Sequence, residues 1–186
     1  MIHGTINAKA TPRRRVTLAT LGGGVAIIAA LTVACALEGY RVNVTPSYPL
    51  GLWQVTALDH SPSVGDRVFI CPTDAAVEIG RERGYLPRGS CPSGTAPLIK
   101  TVVAVAGQVV SIEDRVVVDG LPLPFTAVRA SDGAGRPMAL WTGGVVPPGQ
   151  VFVYSHYGPS YDSRYFGPLP IAGILGLAQP ILTFEQ

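Results

Sequence analysis

Leu98-Ile99-Lys100-Thr101-Val102-Val103-Ala104-Val105 is apolar at six of its eight positions, rich in β-branched side chains, and closed by Ala106-Gly107. Such a run reads as a strand, and its near-continuous apolar character predicts burial on both faces. The chain around it keeps the same style. Val109–Ile112 and Arg115–Val118 flank Glu113-Asp114 as a hairpin, with a second turn at Asp119-Gly120. Upstream, Leu52–Leu58 and Arg67–Ile70 are further strands, separated by the turn Pro62-Ser63-Val64-Gly65-Asp66. Asp74–Arg83 is a brief amphipathic helix. Downstream, Pro- and Gly-rich loops lead through Trp141 to Val151–Tyr154, and Ile171–Phe184 forms one more strand or two. Many short strands with Gly/Pro turns predict a mainly β domain, a sandwich or partly open barrel of antiparallel strands.

The 186 residues leave room for one such domain and one more segment. Val16–Leu37 is 22 residues without a charge, and about 20 apolar residues suffice to cross a bilayer as a helix. Lys9, Arg13, Arg14 and Arg15 precede it, which predicts a cytoplasmic N-terminus and a domain on the far side of a bacterial inner membrane. The expected division is a basic N-terminus at 1–15, a single-pass anchor at 16–37 and a periplasmic domain at 38–186. Competing readings are a cleavable signal ending at Ala34-Cys35-Ala36, a weak lipoprotein box at Thr32-Val33-Ala34-Cys35 and a faint twin-arginine signal. The apolar run is longer than a usual signal core, which favours the uncleaved anchor. From Glu38 onward there are ten basic and twelve acidic residues, no footprint for nucleic acid.

Export makes the cysteines legible. Cys35 falls in the apolar run, leaving Cys71 and Cys91 as the pair available for a disulfide in an oxidising compartment. A bridge would pin the polar excursion Pro72–Ser90; two free thiols are the alternative. No metal constellation and no phosphate-binding glycine loop is visible, so no cofactor is expected.

Three segments carry chemistry. Thr45-Pro46-Ser47-Tyr48-Pro49-Leu50-Gly51-Leu52-Trp53 holds one serine between two prolines. Proline fixes its own φ and pushes the preceding residue into extended conformations, so Ser47 sits on a stiff turn just past the apolar run. A plain Pro/Gly linker is the bland reading. Leu50, Leu52 and Trp53 either dip into the membrane interface or pack in the core. The second segment is the strand Leu98–Val105. Lys100 is the domain's only lysine beside nine arginines, and its burial would favour the neutral amine, a general base. Its alternative is a structural pair with a carboxylate such as Asp162. The third, Ser155–Pro168, is dense in hydroxyls and carries Asp162 and Arg164 two residues apart, positions that share a side on an extended chain and can pair.

Together these segments resemble the serine–lysine signal peptidases of the type I family, and within it the conjugal-transfer branch of TraF-type peptidases. The S-x-P-x-G-L-aromatic form around Ser47 points to that branch, and Ser160–Gly167 fits the family's S-x-D-S-R-Y-F-G box. The Gly-Asp-Asn that opens this box in housekeeping enzymes is absent, replaced around Ser155-His156-Tyr157. The resemblance implies Ser47 as nucleophile and Lys100 as general base. It implies Thr45 as a helper of the oxyanion hole, Ser160 as the hydroxyl that orients the lysine, and Asp162 with Arg164 as the brace of the loop. It further implies a pilin precursor or other exported protein as substrate, resolved by water or by the pilin's own N-terminus to a cyclic product. Other components of a conjugation apparatus are expected neighbours. Two alternatives stay open: a serine–histidine–aspartate site using His156, and a non-catalytic membrane-anchored β module.

Overall fold

The structure, a computed structural model, describes residues 12–184. The chain divides at Gly39 into two units. The first is helix α1 (Pro12–Leu37), whose stretch Thr20–Leu37 is long and apolar enough to cross a membrane. The Thr32 hydroxyl donates back to the Ile28 carbonyl at 2.8 Å, satisfying a polar group that hydrocarbon could not. The expected segment, Val16–Leu37, lies inside this helix, which starts earlier at a proline, a residue suited to a first helical turn because its missing N–H would be unpaired there anyway. The expected basic N-terminus lies largely outside the described residues.

The second unit is built from two antiparallel sheets. In chain order its elements are β1 (Tyr40–Asn43), β2 (Leu50–Thr56), β3 (Arg67–Ile70), α2 (Asp74–Glu82), β4 (Leu98–Val105), β5 (Val109–Ile112), β6 (Val116–Val118), β7 (Leu121–Pro122), β8 (Gly144–Val145), β9 (Gln150–Tyr154), α3 (Ser163–Phe166), β10 (Leu169–Pro170) and β11 (Ile174–Phe184). The larger sheet runs β1-β2-β11-β3-β4-β9-β10 and the smaller β7-β6-β5-β8. The domain is mainly β, as the spacing of strands and turns predicts.

The core explains why β4 and β9 read as apolar without interruption. Along β9, Phe152 and Tyr154 enter one cluster with Val110, Val116, Val118 and Val146. The alternate residues Val151 and Val153 enter another, with Val68, Ile70 and Leu169. Both faces are covered, and each fully buried Val or Phe contributes about 1.5–3 kcal/mol. The register shift between Val102 and Ala104 turns the neighbours Val103 and Ala104 into the same cluster.

One expectation is corrected and two that stood open are decided. The strand expected at Leu52–Leu58 is β2 at Leu50–Thr56. The C-terminal stretch is one 11-residue strand that pairs with β2 along one length and β3 along another. Gly51 makes the first pairing possible: its φ is +133°, and a Cβ there would meet the Leu182 carbonyl oxygen at 2.1 Å. Trp53 does not reach outward. It is 1% exposed and packs with Tyr48, Phe69, Ile99 and Ala178, while the Arg67 guanidinium stacks 5.6 Å from its ring. Leu50 and Leu52 are half-buried.

Cys71 and Cys91 are disulfide-bonded, with Cα atoms 5.6 Å apart. The bridge closes the excursion that contains α2, whose buried face is Ala76, Val77 and Gly80.

Candidate active site

The turn that carries Ser47 is held from its N-terminal side by one residue the sequence gives little reason to single out. Asn43, the last residue of β1, accepts on Oδ1 from the Thr45 N–H (3.1 Å) and the Thr45 hydroxyl (2.8 Å). Its Nδ2 donates to the carbonyls of Thr45, Tyr48 and Pro49 at 2.9, 2.9 and 3.1 Å. A turn with prolines at 46 and 49 lacks two N–H donors, so its carbonyls need partners from elsewhere. The Trp53 indole N–H supplies another to Pro49 at 3.0 Å, and the Tyr48 hydroxyl ties the turn to Thr101 of β4 at 2.5 Å. The Thr45 hydroxyl spends its hydrogen on Asn43, away from any oxygen held beside Ser47.

Lys100 lies in β4 opposite Val68 and is 1% exposed. Its Nζ stands 3.4 Å from Ser47 Oγ and 2.6 Å from Ser160 Oγ, and the two hydroxyls are 3.3 Å apart. Three groups 53 and 60 residues apart in sequence thus form a closed triangle. Burial pushes the Lys100 amine down from 10.5 to about 8; the nearby Asp162 charge pulls it up and Arg164 pulls it down. Among the described residues Lys100 forms no ion pair, so the reading that pairs it with Asp162 is not what the geometry shows.

Asp162 pairs instead with Arg164, and both are fully buried. The pairing arises by a different route from the one extended backbone suggests. Asp162 is the N-cap of α3, and its Oδ1 accepts the Arg164 N–H at 3.2 Å. The helical turn then brings the guanidinium back, Nε to Oδ1 and Nη2 to Oδ2, both at 2.8 Å. Arg164 also donates to the carbonyls of Ala127 (2.8 Å) and Ser160 (3.2 Å). Gly167 stops α3 with φ +78°, where a Cβ would meet the Trp141 indole at 2.8 Å. A histidine triad is not assembled: His156 Nε2 bonds the Tyr154 hydroxyl at 2.8 Å, and the Asp162 oxygens are taken by Arg164 and the Ser155 N–H.

Two clefts meet at Ser47. The smaller, about 210 Å³, is lined by apolar side chains of Val42, Val44, Phe69, Leu86 and Ile99, with Lys100 at its floor. The larger, about 680 Å³, runs past Ser160 between Tyr157, Tyr161, Arg129 and Asp132. Tyr85 lines both and donates to the Asp132 carboxylate, joining the disulfide-closed excursion to the loop before β8. An extended polypeptide laid across the hydroxyl would occupy both. Among the described residues no three His, Cys, Asp or Glu side chains converge to hold a metal.

The chemistry open to this arrangement is narrow: a half-buried hydroxyl beside an amine whose neutral form is accessible near neutral pH, at the junction of two peptide-sized clefts. The 3.4 Å separation is long, as such contacts often are before substrate binds. Comparison with known proteins gives the family. Residues 15–183 match the family described as "Signal peptidase, peptidase S26". A probable conjugal transfer protein TraF of Sinorhizobium fredii is 53% identical over 175 residues, covering 92% of this chain and 93% of that one. A conjugal transfer protein TraF of Agrobacterium tumefaciens is 49% identical over 174 residues, 93% of this chain and 99% of the other. A crystal structure of a signal peptidase I from Enterococcus faecalis overlays at a TM-score of 0.39 with 18% identity, over 63% of this chain and 97% of that chain, too loose a likeness to argue from. The chain belongs to the S26 signal peptidase family.

Proposed function

We propose that this chain is a membrane-anchored serine peptidase of conjugative transfer that processes an exported protein, a pilin precursor, through an acyl-enzyme on Ser47. The observation that carries the reading is the buried Lys100 amine, 3.4 Å from the Ser47 hydroxyl and 2.6 Å from Ser160. Neutral Lys100 takes the Ser47 proton as Oγ attacks the scissile carbonyl, and the resulting ammonium then protonates the leaving amine. Ser160 fixes the amine, and the Asp162–Arg164 pair braces the loop that carries Ser160. The Ser47 N–H is the oxyanion donor, an interaction that can supply about 3 kcal/mol to the barrier. Thr45 joins it only by rotating its hydroxyl away from Asn43.

In this reading residues 16–37 anchor the chain, residues 1–15 lie in the cytoplasm and residues 38–186 work in the periplasm, where the Cys71–Cys91 bridge persists. Water or the pilin's own N-terminal amine resolves the acyl-enzyme, giving a trimmed or a cyclic product. The names of the TraF relatives support the link to conjugation.

The test is the intact mass of the pilin precursor co-expressed with the wild type, Ser47→Ala or Lys100→Ala. Both variants are expected to leave the precursor uncut, and a wild-type product one water lighter than the processed linear chain identifies cyclisation. Normal processing by both variants overturns the reading in favour of a non-catalytic module.

A further inference from the structure

Ser155 follows β9 directly and is fully buried. Its hydroxyl donates to the Ser47 carbonyl and accepts the Tyr157 N–H at 3.1 Å, while its own N–H donates to Asp162 Oδ2 at 3.2 Å. We propose that Ser155 is a positioning residue for Ser47, the arm through which the Asp162–Arg164 pair holds the nucleophile's backbone. The proposal rests on Ser47 being the nucleophile.

The physical case begins with the turn. The orientation of the Ser47 carbonyl sets ψ at that residue and hence where its N–H and Oγ aim. Next to two prolines, few backbone donors are available to fix it, and a buried serine hydroxyl with its acceptor side already engaged by Tyr157 has one direction left for its hydrogen. The same ion pair holds a second arm, since Arg164 Nη2 grips the Ser160 carbonyl at 3.2 Å while the Ser160 hydroxyl touches Lys100. One buried pair therefore fixes the two backbones whose hydroxyls meet the two halves of the dyad. Its two charges act on Lys100 in opposite directions, which leaves geometry as the pair's main product.

The experiment is steady-state processing of the purified pilin precursor by the full chain in detergent, followed by intact mass across pH, for wild type, Ser155→Ala and Ser155→Thr, with Ser47→Ala as control. Misplacement of a reacting group by a fraction of an ångström should cost at least about tenfold in rate. Ser155→Ala is expected to lose that factor in kcat with KM within about twofold and the pH inflection unmoved, because Lys100 and its partners are untouched. Ser155→Thr, which keeps the hydroxyl, should recover most of the loss. Wild-type kcat in Ser155→Ala overturns the proposal, as does a loss carried in KM, a shifted inflection, or a Thr variant as impaired as Ala. If Ser155→Ala fails to fold, Ser155→Thr against Ser155→Cys decides: an active Thr with an impaired Cys, a weak donor, supports it, and equal activities refute it. Processing that survives Ser47→Ala overturns the nucleophile itself, and the proposal with it.

Discussion

Lys100→Met removes the amine while keeping most of the side-chain length, and its effect on stability has to depend on pH in one direction. Burial lowers the folded-state pKa to about 8 from 10.5. Below about pH 8 both folded and unfolded chains carry the ammonium, and the folded one bears the full desolvation cost, about 3 kcal/mol at about 1.4 kcal/mol per unit. Between about pH 8 and 10.5 the unfolded chain binds more protons than the folded, so wild-type stability rises through that window and the cost is gone above it. Methionine has no such cost, but it forfeits the hydrogen bond to Ser160, worth about 1 kcal/mol. The variant should therefore exceed the wild type by about 2 kcal/mol near neutrality, and fall level with or below it near pH 10.5. Urea unfolding of the full chain in detergent, followed by tryptophan fluorescence, reads this directly, since Trp53 is buried beside Ile99, the neighbour of Lys100. A stability difference that stays flat or widens from about pH 7 to about pH 10 refutes the buried-amine argument.

Other expectations follow from the same contacts. The wild-type kcat/KM should climb about tenfold per pH unit on the acid side and level off above about pH 8; a plateau already reached well below neutrality is incompatible with a lysine base. Asp162→Asn strands a buried guanidinium, costs about 3–5 kcal/mol by denaturation, and moves the rate inflection toward acid, because the charge that raises the Lys100 amine is gone. Asn43→Ala unties the Thr45–Pro49 turn and should cut kcat by about tenfold or more with a loss of about 1–3 kcal/mol in stability; unchanged kinetics would show that the turn holds itself. Removing the bridge with paired Cys71→Ser and Cys91→Ser should cost about 3 kcal/mol and raise KM, since Tyr85, Leu86, Pro87, Gly89 and Ser90 inside the loop line the clefts.

The sequence carries what is local. The β4 strand, the β5–β6 hairpin and the short α2 helix follow from apolar periodicity and turn residues within a few positions. The apolar helix follows from length and lack of charge alone. The tertiary structure decides what depends on which face meets what. Trp53 reads equally as an interfacial anchor or a core residue until β11, over 120 positions downstream, closes on β2 and buries it. Asp162 and Arg164 pair through a helix cap, which two-residue spacing on a strand cannot announce. Asn43 and Ser155 are common polar residues, and their value lies in carbonyls brought to them by packing. The 53-position separation of Ser47 and Lys100 says nothing about a distance of 3.4 Å; the order of strands in the larger sheet, with β2 and β4 separated by β11 and β3, sets the frame in which that distance is reached. The burial of an apolar strand, and with it the bias of Lys100 toward the neutral amine, is written in the chain, whereas the approach of that amine to the Ser47 and Ser160 hydroxyls is a property of the folded whole.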